Sequence, residues 1–430
     1  MKRRFKLGEL FCGPGGMAIA STKVGPVAPR CTKGDPFAIN HVWGVDFAPY
    51  AIETFNANLG HGECLDAWEF VKTRLDEAHR IDALAFGFPC NSFSAVGEQQ
   101  GFQNEKFGKL YQTGIAVINR YDPVWFIAEN VSGIKSVEGG HQFEQILTDL
   151  ANAGTHGYDV TAHLYKFEEY GVPQSRHRYV IVGIRHDIAE KEHLVFHVPA
   201  PTHGPRGERP YVTCREAINA RLAELGLAAD PRNAAELPRM SERVTERMQF
   251  IAPGENAWTL DKLEQHSDAD LQSYLEKLPW CETEIRPRFT ASDGTLDLAA
   301  IRGKIAAVKL KCKSARMSHI YRRLDPDRPS YTLTGSGGGG THIYHWAEHR
   351  ALTNTERAAL QSFPPEFKFR GTSEQIRKQI GMAVPTAGAV QIFRAILKTF
   401  ANVDYPFIDD PSDYRFYPKG VAPDLKLTSD

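Results

Sequence analysis

The chain has 430 residues, enough for two or three domains and a large core. Hydrophobic residues make up 42% and charged residues 24%, the balance of an ordinary globular protein rather than a disordered or fibrous one. A net charge of −1 excludes a uniformly basic protein, and the absence of any run of eighteen apolar residues argues against a helical membrane span.

In chain order, the N-terminus "MKRRFKLGELFCG" has basic residues but no apolar core followed by a cleavage site, so it is not read as a signal peptide. Apolar runs predict strands at 7–12, 41–47, 81–88, 124–130, 158–165 and 178–185, with a weaker one near 63–67. Helical patterns lie between them. In "GGHQFEQILTDLANAG", Phe143, Ile146, Leu147 and Leu150 fall on one helical face. This alternation predicts an α/β fold: a mixed, Rossmann-like sheet with helices on both faces, its last two strands antiparallel. From 190 to 345 the rhythm breaks into proline, glycine and charge, which suggests a second, smaller irregular domain after a first of 1–189. Within it, residues 255–300 hold ten acidic and four basic side chains, and 302–328 hold nine Lys/Arg against two Asp. Such a basic stretch could hold a phosphate backbone or merely be a solvated face. Helices return over 346–400: Thr353 and Glu356 form a capping box, and "GAVQIFRAILKTF" reads as a further helix. The tail 401–430 is expected to be loosely attached.

The seven cysteines are scattered and odd in number, without C-x-x-C spacing. Neither a disulfide framework nor a metal site is expected, and the expected setting is a reducing cytoplasm. A free cysteine is ordinarily a small buried residue. Cys90 breaks that rule. In "GFPCNSFS" Pro89 ends a strand, and Asn91, Ser92 and Ser94 are turn formers, so Cys90 falls on the loop at the strand's carboxyl end.

Other strand ends also carry functional groups. "LFCGPGG" closes the first strand with glycines that allow a ligand close to the backbone, although alone it is a weak signal. Asp46 ends the second strand, where an acid typically grips a ribose, and Phe47 beside it could stack on adenine or belong to the core. Glu129 emerges from an apolar strand in "FIAENVSGI"; desolvation there would favour proton donation, while a capping or salt-bridged role is the alternative. Arg176 and Arg178 in "PQSRHRYVIVG" share one face and suit a phosphate or a carbonyl oxygen.

Taken in order, the glycine turn, the acid, Pro-Cys, Glu-Asn-Val and Gln-x-Arg-x-Arg resemble the DNA (cytosine-5)-methyltransferase family of prokaryotic type. "RALTNTERAALQSFP" and "QIGMAVP" are similar to its C-terminal motifs. The resemblance covers residues 5–185 and 320–395. It implies a transferase that methylates carbon 5 of a flipped-out cytosine in a specific duplex DNA sequence, using S-adenosylmethionine, in restriction-modification or phage defence. A tRNA methyltransferase on the same motifs and a catalytically silent DNA-binding relative are the alternatives.

By the same resemblance Cys90 is the nucleophile that attacks carbon 6, Glu129 serves ring nitrogen 3, and Arg176 and Arg178 hold the base oxygen and neighbouring groups. Phe11 lies against adenine with Phe47 on its second face. Gly13, Gly15 and Gly16 lie near the methionine part, Asp46 takes the ribose, and Asp66 takes the adenine amino group with Glu63 as alternative. Pro89 and Ala383 complete the cofactor site. Residues 91–107 resemble a loop that closes over the base, with Ser94 near the phosphates. Segment 190–345 corresponds to target recognition, ending in "RPSYTLTGSGGGGTH", whose Thr332, Leu333, Thr334 and Gly338 are expected to touch DNA. Partners implied are double-stranded DNA and a cognate restriction or defence protein, for a monomer. Three departures stand out: Asn91 replaces Gln, Asp46 replaces Glu, and Met382 replaces Asn in "GMAVP".

Overall fold

The computed structural model describes residues 3–30, 34–88, 109–227, 237–311, 320–335, 341–410 and 412–421. Seven strands form where the apolar runs predict them: β1 Arg4–Leu10, β2 Ala38–Asp46, β3 Gly62–Cys64, β4 Ala83–Phe86, β5 Trp125–Val131, β6 Tyr158–Lys166 and β7 His177–Arg185. Four two-residue strands follow, β8 Val198–Pro199, β9 Arg322–Arg323, β10 Ile343–Tyr344 and β11 Phe407–Ile408, and then β12 Tyr414–Phe416. The main sheet runs β12-β6-β7-β5-β4-β1-β2-β3. Strands β1 to β5 pair parallel, while β7 is antiparallel to both β5 and β6. The strand order reverses at β1, whose neighbours are β2 and β4. In open α/β sheets that reversal leaves a crevice at the carboxyl ends of the strands.

The helices of the first half are α1 Gly16–Lys23, α2 Pro49–Asn58, α3 Ala67–Thr73, α4 Tyr111–Tyr121, α5 His141–Ala151 and α6 His186–Glu192. α5 shows the sequence logic plainly. Phe143, Ile146, Leu147 and Leu150 are fully buried against the sheet, each contributing about 1.5–3 kcal/mol of transfer free energy. α3 and α4 share that face, whereas α1 and the last helix cover the other.

Then come α7 Cys214–Glu224, α8 Glu242–Met248, α9 Thr259–Leu263, α10 Asp268–Glu276 and α11 Leu298–Val308. α8 to α11 enclose a separate core around Met248, Leu260, Leu271, Trp280 and Ile301. Cys214 and Ile218 of α7 instead join Leu333, Leu360 and Ile380 in a cluster that reaches Ile19 of α1. Three cations of the basic stretch are paired with acids of this segment. Arg302 meets Asp268 at 2.8 Å, Lys309 meets Glu264 at 2.5 Å, and Lys304 pairs with Glu246.

The chain closes with α12 Asn354–Leu360, α13 Ser373–Met382 and α14 Thr386–Phe400. α12 begins with the predicted capping box: Thr353 accepts from the Glu356 N–H and Glu356 accepts from the Thr353 N–H. Together α13 and α14 are long and apolar enough to cross a bilayer, yet they are mostly buried within the protein. The expectation of a loose tail fails for its described part. β11 pairs antiparallel with β8, and β12 adds an eighth strand beside β6. Asp413 clamps that edge, accepting from His163 Nδ1 at 2.5 Å with both side chains buried.

Candidate active site

A cavity opens at the β1/β4 switch point. It is lined by Phe11 and Gly13 after β1, Asp46 at the end of β2 with Phe47 after it, Gly87 after β4, and Glu129 of β5. Lys378, Met382 and Ala383 from the α13 end complete it. These residues are remote in sequence but adjacent here because parallel strands all end on the same edge.

The loop after β1 is forced into shape. Phe11 has φ 55° and Gly13 φ 52°, and a non-glycine residue in the left-handed region signals constraint at a site. At Gly16 a Cβ would lie 2.6 Å from the Val384 carbonyl, so only glycine lets α1 approach the α13–α14 turn. Asp46 organises the same loop. Its Oδ2 accepts from the Gly13 N–H at 3.0 Å and its Oδ1 from the Ala48 N–H at 2.9 Å. Burial raises its pKa, while the Ala48 and Gly13 N–H groups and Lys378 oppose the rise. Phe47 is 65% exposed and Met382 61%, two apolar groups left uncovered at the cavity.

Glu129 and Arg178 form a partly buried ion pair, Oε1 to Nε 3.1 Å, in adjacent strands β5 and β7. The pair gives Glu129 a salt bridge while leaving it in the cavity lining. Gly87 is its close neighbour, since a Cβ there would stand 3.4 Å from Glu129 Oε2. Asn130 donates to the Phe88 carbonyl at 3.2 Å, fixing the chain just before Pro89 and Cys90. Pro89, Cys90, Ser94 and Gly338 lie outside the described residues.

Arg176 does something different from Arg178. Its guanidinium is buried and donates to the Leu333 carbonyl and the Gly381 carbonyl, each at 3.0 Å. Burial pushes its pKa well below the ordinary arginine value, aided by Arg178 and opposed by Glu129. Gln174 joins this junction: its Oε1 accepts from the Leu333 N–H at 2.8 Å, and its Nε2 donates to the Leu360 carbonyl at 3.2 Å. The two arginines of the motif therefore make different contacts, Arg178 with Glu129 and Arg176 with two buried carbonyls.

These geometric features agree with the comparisons. A family model, C-5 cytosine-specific DNA methylase, matches residues 5–398. The chain belongs to that family. Methylation of DNA at carbon 5 of cytosine is its activity. The chain is 43% identical over 420 residues to the Type II methyltransferase M.BbvI of Brevibacillus brevis, covering 96% of each. With M.NgoFVII of Neisseria gonorrhoeae it shares 32% over 409 residues, 94% of this chain and 89% of the relative. A DNA modification methyltransferase encoded within an E. coli prophage has the same fold, with TM-score 0.57 and 18% identity over 93% of this chain and 99% of that one. The fold and family are those of S-adenosylmethionine-dependent methyltransferases.

Among the methylase residues expected from sequence, Phe11, Gly13, Gly16, Asp46, Phe47, Glu129 and Ala383 share the cavity, and Gly15 caps α1 beside it. Others lie elsewhere or make other contacts. Asp66 stands apart from the cavity lining; its Oδ1 caps α3 by accepting from the Trp68 and Glu69 N–H groups. Glu63, the alternative, pairs with Arg74 at 3.1 Å and is likewise outside the cavity lining. Leu333 is buried, and the Thr332 hydroxyl donates to the Ser175 carbonyl at 2.5 Å. Both residues anchor their loop to the stretch 174–176 that leads into β7, while Thr334 is exposed. Sequence reading missed Glu9, Lys378 and Met17, which line the cavity. An acid inside the apolar run "LGELF" was the available signal for Glu9.

Proposed function

We propose that this methylase uses Cys90 as nucleophile and S-adenosylmethionine as methyl donor on a cytosine flipped out of duplex DNA. The observation that carries this reading is the Glu129–Arg178 pair beside the tip of β4, with Glu129 lining the same cavity as Asp46 and Phe47. The donor set fits the cofactor. Two carboxylates, Glu9 and Asp46, suit a cationic sulfonium compound, and the uncovered Phe47 ring offers a face to a purine. When bound, S-adenosylmethionine supplies an electrophilic methyl group.

The chain's own residues do the rest. The Cys90 thiolate adds to carbon 6, making carbon 5 nucleophilic. Glu129 holds ring nitrogen 3 and Arg178 the base oxygen, stabilising the charge of the adduct. After methylation, loss of the carbon 5 proton to water restores the double bond and expels the thiolate. Phe11 and Phe47 would hold the adenine, Asp46 the ribose, and Gly13, Gly15, Gly16 and Ala383 the methionine part. We assign 1–189 and 346–400 to catalysis and 190–345 to target recognition. Because M.BbvI is a Type II methyltransferase, the chain is read as the modification half of such a system.

Bisulfite sequencing of a plasmid from expressing cells should reveal one methylated context. Duplex DNA carrying 5-fluorocytosine there should trap the protein covalently, because fluorine cannot leave as a proton does. Cys90→Ser should bind S-adenosylmethionine yet neither methylate nor form the adduct. An adduct persisting in Cys90→Ser refutes the assignment.

A further inference from the structure

Glu9 is buried within β1, and a row of side chains runs from it toward the surface. Its Oε2 lies 3.2 Å from His41 Nε2, and His41 Nδ1 lies 2.7 Å from His61 Nε2. His61 itself is partly exposed, so the row ends at solvent. Neutral rings give the row two senses. In one, a protonated Glu9 donates to His41 Nε2 and His41 Nδ1–H donates to His61 Nε2. In the other, an ionised Glu9 accepts from His41 Nε2–H and His61 Nε2–H donates to His41 Nδ1. The first sense needs the neutral acid and the second its carboxylate.

We propose that Glu9 is a neutral acid in the ligand-free protein and that binding the cationic cofactor drives its proton out along the Glu9–His41–His61 row. This rests on the cofactor reading above. On ionisation the row reverses polarity: His41 Nε2–H donates to the carboxylate, His61 Nε2–H donates to His41 Nδ1, and the His61 Nδ1 proton leaves to water. The groups around Glu9 are consistent with this. Asp46 from β2 and Cys12 from the loop after β1 are its acidic neighbours, and Glu129 and Lys378 line the same cavity from β5 and α13. Burial, with Asp46, pushes Glu9 well above the ordinary carboxylate range, and burial pulls His41 down to about 3, so the ring is neutral. A sulfonium brought to the cavity adds the positive charge that the carboxylate lacks.

The test is isothermal titration of the full chain with S-adenosylmethionine at pH 7 in phosphate and in Tris, whose ionisation enthalpies differ. Release of ~1 proton should make the observed enthalpy buffer-dependent, and affinity should rise up to about tenfold per pH unit while free Glu9 stays protonated. Glu9→Gln mimics the neutral acid, so it should keep the thermal melt, bind more weakly, and show no buffer or pH dependence. A difference infrared spectrum on binding should show loss of a carboxylic acid C=O band in the parent alone. Tight binding with buffer-independent enthalpy in the parent overturns the proposal, as does equal proton release from Glu9→Gln. No binding by the parent at all would instead overturn the cofactor reading.

Discussion

At the residue scale, Arg176 and Arg178 are two positions apart and face opposite demands. Arg176 satisfies the buried carbonyls of Leu333 and Gly381, so Arg176→Met leaves two acceptors without a donor. Each orphaned group costs about 1–3 kcal/mol, and the denaturation midpoint should fall accordingly. Arg178 pairs with Glu129 at 3.1 Å beside the cavity, where the ion pair is partly open to solvent. Arg178→Met should hold its midpoint within about 1 kcal/mol while methylation drops on the order of 10²–10³-fold. Urea titrations alongside single-turnover methylation would separate the two. An unfolded Arg178→Met or a stable, inactive Arg176→Met would reverse the assignment.

At the element scale, local signals and long-range pairing stabilise different parts of the chain. α12 is fixed by its own capping box, so Thr353→Ala should cost about 0.5–2 kcal/mol. β12 has no such local device. Its three residues are held by the ladder to β6 and by the buried Asp413–His163 contact. Asp413→Ala should cost about 1.5–3 kcal/mol and raise hydrogen exchange along the β6 edge. Protection at β6 unchanged by that substitution would return the tail to the loosely attached state.

At the scale of the whole molecule, the catalytic sheet and the 190–345 segment are joined through Gln174, Arg176 and the anchored Thr332–Leu333 turn. The close approach of Gly381 to this turn, where a Cβ would fall 2.3 Å from Thr334 backbone atoms, leaves little freedom at the junction. Site choice and cofactor binding should nevertheless separate. Thr334→Ala, on the exposed side of the turn, should change methylated context by about 1–3 kcal/mol of discrimination and leave cofactor affinity within twofold. Asp46→Ala removes the acceptor of the Gly13 and Ala48 N–H groups and should weaken cofactor binding at least tenfold without altering context. Context measured by bisulfite sequencing and affinity by titration test both halves. Loss of cofactor binding in Thr334→Ala would overturn the division.

What the sequence determined by itself was the set of parts. Periodicity located the strands and α5, the Thr353–Glu356 spacing located α12, and ordered motifs pointed to the methylase family before any contact was known. These are local properties, since a turn, a cap or an apolar face is encoded within a few residues. Only tertiary structure decided which parts meet. It turned Arg176 and Leu333 inward, committed Asp66 to capping α3, paired Arg302, Lys304 and Lys309 with acids of their own segment, and laid β12 on the sheet. It also brought Glu9, His41 and His61 into one row from three separate stretches of chain. The reason is physical: a charged side chain's role depends on burial and on its partner, and both are set by packing between residues far apart in sequence.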